Sequence, residues 1–281
     1  MMASQKEKAQ VFRELHHRKE ILVLPNAWDV PSARVFENAG FPAVATSSAG
    51  VMVSLGYEDG EEISKEEFLS ATRRIVKVLS IPLSADIVAG FGETPEKVGQ
   101  FARQVIETGA VGVNIEDFQH ATKKLAPLEL QLQKIKAVRK QADLLGIPIV
   151  INARTDALRY AEGDPEAKMK EAIARAKEFR DEGGADCVYP MGLADRDGIS
   201  RFVKALDYFP VNIMVRKGVP SIDDLQGLGV KRLSFGPAAS YAVMGFLKRE
   251  SKEILEDRNF SGLVEGAISF DELNSLAVPK S

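Results

Sequence analysis

Five ionisable side chains in this 281-residue chain stand where they can act together. Asp86 follows the apolar run 81–85, Glu116 and Asp117 follow 111–115, and Arg154 and Asp156 lie at the end of 148–152. If these runs are adjacent strands, Asp86 and Glu116 sit at one height and point into one mouth. Carboxylates placed together repel unless a cation joins them. No Cys or His adjoins them in sequence, so the fitting cation is hard and oxygen-preferring, Mg2+ with Mn2+ as the alternative, keeping several waters. The plainer alternative is that Asp86 and Glu116 cap helices or form ion pairs at a rim. Arg154 carries a planar fork suited to a substrate carboxylate; its alternative is a salt bridge to Glu116 or Asp156.

Other segments offer weaker signals. Ser47-Ser48-Ala49-Gly50 presents hydroxyls and consecutive backbone N–H groups, a donor set for an anion or oxyanion. Gly236-Pro237-Ala238-Ala239-Ser240 has the composition of a phosphate seat at a helix start, though a plain β-to-α turn is the stronger reading. His120, four residues beyond Glu116, is a candidate acid or base. Gly90-Phe91-Gly92 lacks the rest of a dinucleotide fingerprint. Cys187 lies inside an apolar run and reads as a small core residue, while His16 and His17 read as solvated.

Positioning these residues requires a scaffold, and the chain repeats one. A helix-like run, a Gly, one or two residues and a strand recur at Gly40, Gly109, Gly146, Gly184 and Gly229; glycine past a helix end supplies the left-handed stop. The predicted strands are 21–24, 43–46, 81–85, 111–115, 148–152, 186–190, 211–215 and 231–235. Thr94-Pro95 and Asp164-Pro165 read as N-caps with proline in the first turn. Ser64, Ser221 and Ser269 each precede an acid by three residues, the capping-box spacing. Eight such units predict a single (β/α)8 TIM barrel with its site at the C-terminal strand ends. There the strands deliver Asn26 and Trp28, Ser47 to Gly50, Asp86, Glu116, Asn152 with Arg154, Tyr189, Arg216 and Gly236. A helix over 5–18 is expected to cover the barrel floor. The C-terminal segment 237–281 carries an apolar stripe, Phe260, Leu263, Val264, Ala267 and Ile268, at helical spacing, which needs this barrel or a partner's to rest on.

Composition narrows the function classes. The net charge of −3 lacks the basic balance that nucleic acid or an anionic membrane favours. A lone cysteine excludes an internal disulfide and fits a reducing compartment. The charged segment 1–20 holds no apolar export core, and no run reaches the roughly 18 apolar residues of a membrane span. The expectation is a cytoplasmic protein.

Several motifs occur in order: Asn26-Ala27-Trp28-Asp29, Thr46-Ser47-Ser48, Gly56-Tyr57-x-Asp59-Gly60, Asp86 with Gly90-Phe91-Gly92, Ile115-Glu116-Asp117 and Asn152-Ala153-Arg154-Thr155-Asp156. Together they resemble the phosphoenolpyruvate mutase/isocitrate lyase superfamily over nearly the whole chain. The resemblance implies Mg2+ at the mouth and a small 2-oxo or 2-hydroxy acid whose C–C or P–C bond is made or broken through an enolate. It implies metal-holding roles for Asp86 and Glu116, directly or through water. Ser47, Ser48 and Ala49 would bind the oxo-carboxylate end, Arg154 would neutralise developing charge, and Asp59 would orient the reacting group. Trp28, Asn152 and Arg216 complete the expected substrate-binding set, with Asp59, Arg154 and His120 as the catalytic one. The family's exchange of its last helix implies a homodimer or homotetramer.

The departures bear on the reaction. Val88 stands where many members carry a second acid. The lyase branch's cysteine loop is replaced by Phe118-Gln119-His120-Ala121-Thr122-Lys123-Lys124, and Phe118 stands where the mutase branch has lysine. The leading expectation is a Mg2+-dependent C–C lyase or decarboxylase for a small dicarboxylate. The alternatives are a P–C mutase or phosphonopyruvate hydrolase, and an inactive barrel serving as a scaffold.

Overall fold

A computed structural model of the chain describes residues 3–278. Eight parallel strands form the wall: β1 (Leu22–Leu24, resuming as Asn26–Ala27), β2 (Val44–Thr46), β3 (Leu83–Asp86), β4 (Gly112–Glu116), β5 (Val150–Thr155), β6 (Cys187–Pro190), β7 (Asn212–Met214) and β8 (Arg232–Ser234). Pro25, which has no N–H to donate to a ladder, interrupts β1. Its first half pairs with β8 and its second half with β2. Ladders continue from β2 through β6, a parallel bridge joins Val188 to Val211, and β7 pairs with β8. The pairing therefore returns to its start, as a (β/α)8 barrel requires.

The chain enters through α1 (Gln5–Leu15), capped by a Ser4–Glu7 box. It ends three residues short of the expected span. Ala9, Phe12 and Leu15 bury against Leu22, Leu24, Ala43, Ala45, Val111 and Val150, so α1 closes the barrel floor as expected. His16, expected to be solvated, is instead 1% exposed: as the cap of α1 it turns under the floor, its Nδ1 2.8 Å from the Phe12 carbonyl. His17 alone faces solvent.

Outer helices alternate with the strands: α2 (Val30–Asn38), α3 (Ser48–Ser54), α4 (Lys65–Val78), α5 (Pro95–Glu107), α6 (Leu128–Leu145), α7 (Ala157–Tyr160), α8 (Pro165–Asp181), α9 (Arg196–Ala205) and α10 (Ile222–Gly227). Thr94 and Asp164 cap α5 and α8, and Gly146 ends α6 at φ 68°, the left-handed stop read from its glycine. Beyond β8, α11 (Ala238–Asp257) projects with Tyr241, Val243, Met244 and Leu247 exposed. The C-terminal stripe does not form one helix. Glu265 adopts an extended backbone and Gly266 a φ of 80°, dividing it into α12 (Ser261–Val264) and α13 (Phe270–Ser275). Phe260, Leu263, Val264 and Ile268 remain exposed, so this barrel does not cover them.

Candidate active site

The strand ends enclose a cavity of about 290 Å³ lined by Asn26, Ser47, Ser48, Ala49, Asp59, Asp86, Asn152, Arg154 and Tyr189 among others. Strand register sets its layers. Asp86, Asn114 and Asn152 stand side by side on β3, β4 and β5, while Glu116, Arg154 and Tyr189 form the next level on β4, β5 and β6. Asp86 and Glu116 are therefore one level apart rather than at one height. Beyond Asp86, the chain meets the upper level at Val88, whose carbonyl accepts from the Glu116 N–H at 2.9 Å. β5 also runs three residues past its expected end, making Arg154 a strand residue with a fixed direction.

A relay of amides orients Asp86. Asn152 Nδ2 donates to Asn114 Oδ1 at 2.8 Å, and Asn114 Nδ2 donates to Asp86 Oδ1 at 2.8 Å. The Ser48 backbone N–H donates to the other carboxylate oxygen at 3.3 Å. Ser47 caps α3 by accepting from the Gly50 N–H. Trp28 does not line the cavity; it packs behind α3, where a Cβ on Gly50 would stand 2.8 Å from the Trp28 Cβ. Asp59 rides the loop after α3 at the cavity's lip. Partial burial, with the charge of Asp86 second, pushes its carboxyl above the usual range.

Arg154 is clamped. Its Nη1 lies 2.7 Å from Glu116 Oε2, while Nε and Nη2 donate to Asp156 at 2.7 and 2.9 Å. Burial opposes its charge, but Glu116 and Asp156 outweigh that and hold its pKa above the ordinary value. Asp156 is itself fixed: its N–H donates to Asp117 Oδ1 at 2.8 Å, and Asp117 also takes the Thr155 hydroxyl at 2.8 Å and Arg175 at 3.2 Å. The salt bridges read as the alternative for Arg154 are both present, and the residue also lines the cavity.

Glu116 has both oxygens occupied, one by Arg154 and one by His120 Nε2 at 2.7 Å. It sits behind Arg154 and does not line the cavity, and neither does His120. The imidazole packs against Gly60, where a Cβ would stand 3.3 Å from its Nδ1, and the Glu116 hydrogen bond raises its pKa. His120 therefore ties the Asp59 loop to the Arg154 clamp. It enters from a hairpin, Phe118–Gln119 paired with Lys124–Leu125, in which Phe118 stacks on Tyr160 at 4.3 Å.

Arg216, expected to bind substrate, does not line the cavity. β7 ends at Met214, so the chain has left the sheet by residue 216. The side chain is exposed, on an outer groove, with Nη1 donating to the Gly192 carbonyl at 3.2 Å. The Gly236 loop is a turn: the Phe235 and Gly236 N–H groups both donate to Asn26 Oδ1 at 2.9 Å. Cys187 is fully buried, and burial lifts its thiol to about 12.

Among the described residues, no group of three or more His, Cys, Asp or Glu side chains forms a metal cage. The donors fit only a largely hydrated hard cation. Asp86 and Asp59 both line the cavity, and the repulsion between them is one that such a cation would relieve.

Acids, oriented N–H groups and a guanidinium thus gather at the mouth of a (β/α)8 barrel, where enzymes of this fold carry their active sites. The model of the phosphoenolpyruvate phosphomutase family matches residues 12–255. The 2-methylisocitrate lyase of Bacillus subtilis (strain 168) is 32% identical over 211 residues, 73% of this chain and 66% of that protein. The 2,3-dimethylmalate lyase of Eubacterium barkeri is 26% identical over 283 residues, 95% and 93% of the two chains. A crystal structure from Burkholderia cenocepacia J2315, assigned only provisionally as a lyase/mutase, superposes with a TM-score of 0.89 at 33% identity, covering 98% of this chain and 99% of that one. The chain belongs to the phosphoenolpyruvate mutase/isocitrate lyase superfamily.

Proposed function

We propose that the protein is a Mg2+-dependent lyase or decarboxylase that breaks a C–C bond in a small 2-oxo or 2-hydroxy dicarboxylate. The observation that carries this is the convergence of Asp59, Asp86, Ser48 and the clamped Arg154 on one cavity. Asp86 would hold the cation, and Asp59 and Glu116 would contribute to it only through water. The bound cation supplies Lewis-acid stabilisation where enolate charge develops.

The chain's own residues do the rest. Ser47, Ser48 and Ala49 bind the oxo-carboxylate end through hydroxyl and N–H groups. Arg154, immobilised before substrate arrives, stabilises charge as it forms and spends no reorganisation on doing so. Asp59 at the lip orients the reacting group. Cys187, buried in β6 with a raised pKa, is no substitute for the absent loop cysteine. His120 reaches the site only through Glu116 and Gly60 and acts as a positioning residue.

The test is incubation with oxo- and hydroxy-dicarboxylates and with phosphonopyruvate, in Mg2+, Mn2+ or chelator. Metal-dependent release of pyruvate, glyoxylate, oxalate or CO2 supports the lyase. Release of phosphate or formation of phosphoenolpyruvate shows P–C chemistry instead and refutes the C–C reading. Silence across the panel, with no metal-dependent thermal shift, points to a binding scaffold.

A further inference from the structure

The cavity continues below the mouth, toward the floor. Its inner wall is polar where a barrel interior is usually filled by branched apolar residues: Ser84, Asn114, Asn152, Asn212, Arg232 and Ser234 all line it. Phe12 of α1 seals it from beneath, since a Cβ on Gly112 would stand 2.6 Å from the Phe12 ring and 3.0 Å from the Ser84 hydroxyl. The Arg232 charge helps keep His16, on the same floor, neutral.

Arg232 is 2% exposed, and no described residue accepts a hydrogen bond from its guanidinium; Nε and Nη1 are buried and unpartnered. The contrast with the other buried arginines is sharp. Arg154 is held by Glu116 and Asp156, Arg175 by Asp117 and Glu171, and Arg34 by Glu37. A guanidinium cannot shed its proton to escape burial, and a buried unpaired charge is what folded chains otherwise avoid. The Ser84 hydroxyl, also buried and unpartnered, adds a second donor to the same chamber.

We propose that Arg232, with Ser84, forms a deep anion subsite inside the barrel that takes the distal carboxylate of a dicarboxylate substrate whose other end binds at Ser47 and Ser48, beside the cation that Asp86 would hold. The inference rests on the mouth being the site of an oxo or hydroxy acid, and it names what selects a diacid there. A monocarboxylate leaves the guanidinium unpaired; a diacid of sufficient length pairs it. The free amide oxygens of Asn152 and Asn212 accept hydrogen bonds, so they suit a hydroxyl group of the ligand or ordered water beside the anion.

The experiment is calorimetric titration of the full chain in Mg2+ with succinate, butyrate and oxalate. Succinate and butyrate match in length and differ by one carboxylate, while oxalate, whose two carboxylates adjoin, serves as the short control. Wild type is expected to favour succinate over butyrate by about tenfold or more, as for a desolvated charge pair. Arg232→Met is expected to abolish that preference and leave oxalate binding nearly unchanged. A preference that survives in Arg232→Met overturns the proposal.

Wild-type crystals grown in bromide supply a measurement that needs no variant. An anomalous peak within hydrogen-bond reach of the guanidinium is expected, and water alone there overturns the subsite. Bromide at Arg232 together with unchanged diacid preference in the variant also overturns it, because the site then takes only small inorganic anions. If no substrate turns over but the Arg232-dependent preference holds, the lyase reading fails and the subsite stands. If turnover occurs without that preference, the reverse follows.

Discussion

Replacing His16 by glutamine tests how tightly the floor helix closes the barrel. His16 is buried, and burial first, with the Arg232 charge second, pushes its pKa down to about 3. In the unfolded chain the imidazole titrates near 6.5, as free histidine does. Between these values the unfolded state binds a proton that the folded state refuses, so stability rises with pH through this window. The contribution is full above the unfolded pKa and is lost as pH falls below it, at about 1.4 kcal/mol per pH unit. Going from pH 8 to pH 5 should cost the wild type about 2 kcal/mol through this group. The figure barely changes if the folded value is a unit higher, because the folded state is still almost unprotonated at pH 5. For 281 residues that is a Tm difference of about 3 °C. The raw curve will not show it alone, since burial raises Asp117 to about 6. A raised carboxyl pKa works in the opposite direction, stability falling as pH rises from the unfolded value to the folded one. The quantity to measure is the wild-type minus His16→Gln stability in urea at each pH. That difference should fall by about 2 kcal/mol between pH 8 and pH 5. Parallel curves would refute a neutral, floor-sealed His16.

Other perturbations address the mouth and the C-terminal segment. Asp86→Ala should remove both the Mg2+-dependent thermal shift and turnover; a retained shift would move the cation elsewhere. Asp156→Asn weakens the two-pronged hold on Arg154 and should lower kcat/KM by about a hundredfold, the scale of a small misplacement. Unchanged kinetics would show that Glu116 alone suffices. We propose that the exposed apolar faces of α11, α12 and α13 rest on a second copy of the chain. Light scattering should then give a mass of a dimer or larger, and a strict monomer would sink that reading.

The scaffold was legible because its punctuation is local. Gly146 stops α6 and Thr94 starts α5 through contacts within a few residues, so no tertiary knowledge is required. Legibility fell where distant strands decide. Nothing within residues 11–20 shows that His16 will turn under a barrel wall built from β1, β2, β4 and β5. Arg216 follows an apolar run that reads as strand as far as residue 215, whereas the sheet releases the chain at Met214. The C-terminal stripe matched helical spacing, but spacing does not weigh the extended backbone at Glu265 or the left-handed Gly266.

The mouth was legible in its acids and arginine, and illegible in what fixes them. Asp86 faces the cavity because Asn114 donates to it and Asn152 donates to Asn114, a relay that crosses three strands distant in sequence. Its one sequence trace is the period of two, with polar residues at inward positions of otherwise apolar strands: Asn114 within β4, Asn152 within β5, Asn212 beside Arg232 on β7 and β8. An ordinary barrel core would be destabilised by such residues unless each found a partner. Asn114 finds one in Asp86 and Asn152. Arg232 finds none among the described residues, which is why the polar interior reads as a binding chamber rather than as structural filling.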